Sequence, residues 1–321
     1  MMELIFGVDL GGTTVKLGAF DTQGALLRKW EIPTRTENCG EHLLRDIADA
    51  VNAEAAARGA QVLGLGFGVP GTVRDGDYVQ TCVNLGGWGG LRAGTALGGL
   101  CGCEETVVLN DANAAALGEQ RRGGGAGTRN MVFVTLGTGV GGGVIVDGQL
   151  LVGAHGCGGE IGHIKLLPTG EDVCGCGKRG CLEKYASATA LVAQAKRALA
   201  SDTGDSVLHD GKELTARAVF DAAKGGDALA EALCRDYADA LGRGLAGVAC
   251  VCDPEAFVLG GGVARAGEYL LSLTSEAFAR YAYAETATVR FALAELGNDA
   301  GIYGCAHAIL GKLARQRKFN V

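Results

Sequence analysis

The sequence predicts an α/β chain of two lobes, and three observations predict it. Apolar runs of strand length alternate along the chain with stretches of helical spacing. The 321 residues exceed the roughly 250–300 at which a single core stops growing. One device also repeats. Displaced by 126 residues, Phe6, Val8, Leu10, Gly11 and Asp21 fall on Val132, Val134, Leu136, Gly137 and Asp147, and Gln23 falls on Gln149.

The elements follow in order. Residues 4–9 form an apolar run that ends in the turn Gly11-Gly12-Thr13-Thr14. Residues 15–20 read as a returning strand, and a turn at Asp21 leads to a third strand over 25–32. Leu43, Leu44, Ile47, Ala48 and Val51 recur at helical spacing within 40–57, and residues 61–69 form a strand that runs into Pro70-Gly71. After a strand over 106–109, Asn110-Asp111 opens an alanine-rich helix to about Arg122, which the glycines at 123, 124, 125 and 127 end. Strand, glycine turn and strand return over 132–136, Gly137-Thr138-Gly139 and 144–146. The stretch 181–252 is mostly helical. A strand over 257–259 enters Gly260-Gly261-Gly262, followed by a helix from Gly267, a strand over 289–293 and a last helix over 299–314.

Composition excludes several classes. Glycine supplies 55 residues, more than twice the ~7% share of an average chain, yet with 4 prolines and no Gly-X-Y period the chain is not collagen-like. An apolar fraction of 48% excludes disorder. A net charge of −7 argues against a general affinity for nucleic acid or anionic membrane. The apolar residues 4–6 are too short for a signal segment, and no run reaches the ~18 residues of a membrane span. A cytoplasmic protein without a membrane partner is therefore expected. Without an export signal most of the 12 cysteines should be reduced, and Cys39, Cys82, Cys234, Cys250 and Cys305 read as small core thiols.

Three glycine turns follow strands, and such turns bring backbone N–H groups close to a phosphate. Tight hairpins use the same residues, so each turn alone is weak evidence. Asn110 and Asp111 suit a helix N-cap, but a strand-to-helix junction is also where open α/β folds place ligands. A carboxylate there could accept a proton from a substrate hydroxyl. His163 with Cys174, Cys176 and Cys181 completes a tetrahedral set for a structural zinc ion, with Cys157 as a nearby competitor. Glu160 and Glu183 flank that cluster and suit a polyhydroxylated ligand.

Together these residues resemble the ROK family of sugar kinases and repressors, within the sugar kinase, Hsc70 and actin superfamily. Asp9-Leu10-Gly11-Gly12-Thr13-Thr14-Val15-Lys16 and Leu136-Gly137-Thr138-Gly139-Val140-Gly141-Gly142-Gly143 are similar to its two phosphate motifs. The segment 109–119 is similar to its catalytic segment, and 158–163 with 174–183 to its sugar and zinc segment. The resemblance implies a two-lobed actin-like ATPase fold of duplicated ribonuclease H-like units with a cleft. A small lobe would comprise 1–112 and 300–321, and a large lobe 113–299 with a zinc-bearing segment over 153–183. It implies Asp111 as general base, and Gly71, Asn84, Asn110, Asp111, Glu160, His163 and Glu183 around the sugar. ATP would lie on Asp9, Gly11, Gly12, Thr13, Thr14, Lys16, Gly137, Thr138, Gly139, Gly260, Gly261 and Gly262, with Asp9 holding Mg2+ through water.

No helix-turn-helix reader fits before Asp9, so a kinase is expected rather than a repressor. The Gram-positive-type glucokinases are most similar, although His155 stands where those enzymes often have Asn. The expected activity is ATP-dependent phosphorylation of the glucose 6-hydroxyl by a homodimer that binds no nucleic acid. Kinases for N-acetylmannosamine, fructose or allose, and a non-catalytic sugar sensor, are the alternatives.

Overall fold

Alternation along the first strand decides how the N-terminal part of the chain is layered. The computed structural model describes residues 2–82, 85–170, 172–201, 204–211 and 213–319, the last three by backbone only. In β1 (Met2–Leu10), successive side chains point to opposite faces. Leu4, Phe6, Val8 and Leu10 enter a core with the helices Leu43–Ala57 and Ala93–Cys101. Ile5 enters a second core with Ile302, Ala306 and Ile309 of the helix Ala300–Phe319. The sheet also holds β2 (Thr14–Phe20), β3 (Leu26–Pro33), β4 (Ala60–Val69) and, after the short β5 (Val73–Arg74), β6 (Tyr78–Val79) and β7 (Leu91–Arg92), β8 (Thr106–Asn110). Its order is β3-β2-β1-β4-β8, antiparallel over the first three strands and parallel from β1 onward.

The second sheet repeats that plan. It contains β9 (Met131–Leu136), β10 (Val140–Val146), β11 (Gln149–Leu150), β12 (Ala256–Gly260) and β13 (Arg290–Leu293), in the order β11-β10-β9-β12-β13. Again the first two strands of the unit are antiparallel and the two added later are parallel. The 126-residue repeat is thus a repeat of topology. Its turns differ by one residue, since Leu10 pairs with Val15 but Leu136 with Val140.

By compactness the chain forms two units. One comprises 1–127, 150–158 and 296–321, the other 128–149 and 159–295. The division differs from the expected lobes over 113–127, 150–158 and 296–299, for a physical reason. The helix Asp111–Arg122 packs on the helix Ala300–Phe319 with almost no side chain between them. A Cβ on Gly304 would land on the carbonyl of Ala114, and one on Gly118 on the carbonyl of Ala300. The same helix leans on the sheet, where a Cβ on Gly66 would strike the Cys305 carbonyl.

Three further differences from the sequence reading are local. Residues 140–143, between the expected turn and strand, already belong to β10, where they pair with residues 136–133 of β9; Gly142 there admits Ile161 and the Gly159 carbonyl at under 3 Å from its absent Cβ. Strands β5 to β7 and the helix Ala93–Cys101 were not anticipated, since two-residue strands carry no period. Cys39 and Cys250 are exposed, not core thiols, whereas Cys82, Cys234 and Cys305 are buried. Among the described residues no helix is long and apolar enough to cross a membrane.

Glu119 fixes the end of the helix Asp111–Arg122. Fully buried, it accepts hydrogen bonds from the Gly124 N–H at 3.0 Å and the Leu296 N–H at 2.8 Å. It therefore ties down the chain just before it leaves the first unit and just where it returns.

Glycines in the two structural situations should respond oppositely to alanine. Gly304→Ala is expected to lower stability by about 3 kcal/mol, the upper range for forced overpacking. Gly247→Ala, in the helix Ala228–Cys252 with nothing within 4 Å of the new Cβ, is expected to raise it by about 0.5–1 kcal/mol. Urea unfolding of both variants checks the pair.

Candidate functional site

In the first unit the functional side chains gather at the C-terminal ends of β1 and β8. Asp9 is the penultimate residue of β1 and faces the helix Ala300–Phe319, where the missing side chain of Gly301 makes room for its carboxylate. Lys16 stands opposite Asp9 across the hairpin, with Nζ at 4.0 Å from Oδ2. Burial pushes the Asp9 carboxyl up to about 6 from an ordinary 3.8; Lys16 opposes the rise and the charge of Asp111 adds to it. Asp9 and Asp111 thus share one electrostatic neighbourhood.

Asp111 opens the helix that follows β8, and the structure joins both sequence readings of the Asn110-Asp111 pair. Asn110 is the N-cap: its Oδ1 accepts from the N–H groups of Ala112 at 3.0 Å and Asn113 at 3.2 Å, and its Nδ2 donates to the Gly71 carbonyl at 3.3 Å. Asn110 shares the capping with its neighbour: the Asp111 Oδ1 also accepts from the Ala112 N–H, at 2.8 Å, which holds the exposed Asp111 carboxylate at the positive end of the helix dipole. Gly71 cannot carry a side chain, because Thr81 and Cys82 occupy its place. Asn84 lies outside the described residues.

The turn between β1 and β2 is held from below. Gly11 donates to the Thr14 carbonyl at 3.0 Å, and Thr34 bonds the carbonyls of Gly11 and Thr13 at 2.8 and 2.9 Å. Gly12 and Thr13 are left exposed. In the second unit the turn between β9 and β10 is anchored likewise, with Ala188 and Thr189 donating to the carbonyls of Gly137 and Thr138 at 2.8 and 2.9 Å. Gly261 packs with φ +82° against the backbone of Leu136, which sets the turn after β12 beside the one after β9. Gly12, Gly137 and Gly262 differ from such glycines. Each has an ordinary φ and no atom within 4 Å of a Cβ, so packing does not require glycine there.

Glu183 connects the second turn with the cysteine cluster. One carboxylate oxygen lies 2.9 Å from where a Gly139 Cβ would stand, and the other is 2.8 Å from the Cys174 Sγ. His163, Cys174, Cys176 and Cys181 offer four donor atoms within 4.8 Å of one another. The Cys176 and Cys181 sulfurs are 3.7 Å apart, and the Cys174 Sγ is 3.5 Å from the His163 Nδ1. Tetrahedral coordination with metal–sulfur bonds of about 2.3 Å and metal–nitrogen bonds of about 2.0–2.1 Å requires edges of about 3.8 and 3.5 Å. The cluster fits one metal ion of that size. Nδ1 faces the sulfurs, and Nε2 points toward Glu160, 3.9 Å from its Oε2. Cys157 is not part of the cluster; its thiol meets the His155 carbonyl at 3.6 Å.

Several residues with work at the site escaped the sequence reading. Lys165 donates to the Cys181 Sγ at 2.8 Å and to the Arg179 carbonyl at 3.0 Å, placing a cation beside a sulfur of the candidate metal site. Thr34 and Gly301 are others. Each acts on a partner distant in the chain or across a strand pair, where spacing carries no signal.

Residues 5–312 match the model of the ROK family. The chain belongs to the ROK family. It is 40% identical to a glucokinase of Halalkalibacterium halodurans over 93% of this chain and 92% of that one. Among solved structures it is similar to the ROK hexokinase of Thermus thermophilus, with a TM-score of 0.82 and 34% identity over 98% and 99% of the two chains. It is also similar to a ROK family glucokinase from Streptomyces griseus in complex with glucose and AMPPNP, with a TM-score of 0.74 and 36% identity over 95% and 98%. The duplicated sheet topology is that of the actin-like ATPase fold of the ROK sugar kinases.

Asp9 carries a testable cost. Its pKa is raised on folding, so the folded state holds the proton more tightly and stability falls as pH rises from about 4 to about 6. Two units correspond to about 3 kcal/mol at most. Asp9→Asn is therefore expected to be more stable than the parent above pH 6, with the difference vanishing below pH 4. Thermal melts across pH 4–8 check it.

Proposed function

We propose that this ROK protein is a glucokinase, transferring the γ-phosphoryl group of ATP to the 6-hydroxyl of glucose. The observation that carries the reading is the exposed Asp111 carboxylate, held at a helix N-terminus in the same electrostatic neighbourhood as Asp9. The similar glucokinases and hexokinase support the substrate pair.

Asp111 accepts the proton of the 6-hydroxyl as that oxygen forms its bond to the γ-phosphorus and the bond to the β–γ bridging oxygen breaks. The products are glucose 6-phosphate and ADP. A helix N-terminus favours negative charge, and a weak base suffices where the transition state is loose and orientation is the larger part of catalysis. Nucleotide phosphates meet the turn of Gly11, Gly12, Thr13 and Thr14, with Lys16, and the turns of Gly137, Thr138, Gly139, Gly260, Gly261 and Gly262; the Gly11 and Gly137 N–H groups close their own turns on the Thr14 and Gly139 carbonyls, so other amides such as those of Gly12, Thr13 and Thr138 are the donors. Asp9 would hold Mg2+ through water, and the ion would supply charge that offsets that of the phosphates. Sugar hydroxyls are bound by Gly71, Asn84, Asn110, Glu160, His163 and Glu183.

Three cysteines and one histidine are the donor set of structural zinc. Bound through Nδ1, zinc would fix His163 with its other nitrogen as Nε2–H, a donor for a sugar hydroxyl. It supplies cross-linking of the loop and no step of the reaction. The second partner is another copy of this chain, and a solution mass of twice 32.7 kDa is the expected result.

Asp111→Asn should lose at least a thousandfold in kcat while glucose still binds, since the interaction removed is made mainly in the transition state. A coupled ADP-release assay over a hexose panel, with calorimetry for binding, tests both base and sugar; turnover by the variant near the parent's would sink the assignment. Metal analysis should find one zinc per chain, lost in Cys176→Ser together with the order of residues 163–183 in hydrogen exchange. A zinc-free active protein would remove the metal from the proposal.

A further inference from the structure

A cavity of about 600 Å3 lies within the first unit, away from Asp9. Phe20 and Leu63 line it, and both stand level with Ile5 of β1, since Phe20 pairs with Ile5 and Leu63 sits at the β4 irregularity beside it. Asp9 is four residues further along β1, about 13 Å away at strand rise. Arg121 and Arg122 also line the cavity, about 15 Å along the helix from Asp111. It is therefore separate from the catalytic edge of this unit.

Its chemistry is uneven. Phe20, Leu63 and Leu310 provide an apolar floor, and Tyr303 adds a ring beneath the Arg122 guanidinium at 5.5 Å. Arg122 donates to the Gly24 carbonyl at 2.8 Å, and Arg121 Nε donates to the His307 Nε2 at 2.6 Å. Burial and the charges of Arg121 and Arg315 push the imidazole down to about 4, so at neutral pH His307 accepts that bond and brings no charge. Among the described residues neither Arg121 nor Arg122 meets a carboxylate. The acid of the neighbouring turn, Asp21, is turned onto the N–H groups of Gln23 and Ala25. Cations in a last helical turn offset the helix dipole, which accounts for their charge but not for the cavity they line.

We infer that this cavity is a second binding site, which takes a small phosphomonoester with its phosphate on Arg121 and Arg122 and its carbon body over Tyr303 and Phe20. Guanidinium forks match phosphate oxygens, and Arg121 keeps its two terminal nitrogens outside the bond to His307. The volume lies in the range of small-ligand pockets. The ester has two sources, a hexose phosphate or a phosphate on an apolar body, and the probes separate them.

Calorimetric titration with inorganic phosphate, glucose 6-phosphate and phenyl phosphate, each with saturating AMPPNP and glucose present, tests the site. At least one ester should bind more tightly than inorganic phosphate; glucose 6-phosphate as the tighter ester makes the occupant a sugar phosphate, phenyl phosphate an apolar one. Arg121→Gln should weaken the ester about tenfold or more. Gly311→Leu should do the same by filling space, and it spares the fold because a Cβ there meets only Arg315 Nη1, at 3.7 Å. No ester binding, or binding equal in the parent and in Gly311→Leu, overturns the inference; so does binding that AMPPNP displaces, which would place the phosphate on the nucleotide turns.

Discussion

The rest of the first unit depends on how closely the helix Ala300–Phe319 approaches the backbone beneath it. Strands β1 and β4 and the helix Asp111–Arg122 all present glycine where that helix crosses, and a single added carbon would collide with a carbonyl at Gly7, Gly66, Gly118 or Gly304. Interiors packed to crystal-like density do not absorb such a carbon. The close crossing sets the depth of Asp9 under Gly301 and the angle at which the helix carries Asp111. It also makes the last element of the chain an inner layer of the first unit, so that unit is completed only when residues from 296 onward return to it.

Burial of Asp9 is a direct consequence. A carboxylate so placed would be costly in a unit selected only for stability, and Lys16 at 4.0 Å offsets the cost in part. Conflicts between local physics and function gather where a ligand supplies the missing partner. In the proposed kinase a hydrated cation on nucleotide phosphates would be such a partner, offsetting the burial that raises the Asp9 pKa.

What the sequence revealed was local. Both glycine hairpins, the helix that begins at Asp111 and the cysteine cluster are written in contiguous residues, and each formed where its pattern lay. What it hid was tertiary. Nothing in the spacing of Glu119 shows that its carboxylate bonds Gly124 and Leu296, and nothing distinguishes Gly304, which cannot be replaced, from Gly247, which can. The compact units depart from the expected lobe limits for the same reason: residues 113–127 look like the start of a new unit in sequence, yet the helix they continue is fastened to the chain's end. The 70–105 region was opaque because its strands are two residues long and its glycines suit almost any turn.

The two copies of the repeat differ in charge. In the first hairpin Asp9 pairs with Lys16; in the second the corresponding pair is Thr135 and Gly141. The backbone device is kept, an open glycine at the tip included, but the charges occur once. Backbone N–H groups can meet a phosphate without any side chain, so a repeated turn needs no repeated charge. Proton acceptance and cation binding need carboxylates, and in the proposed kinase both come from the first unit, from Asp111 on its helix and Asp9 in its hairpin. On that reading the asymmetry follows from the different load on each unit: the backbone device serves in both, and the charges are needed in one.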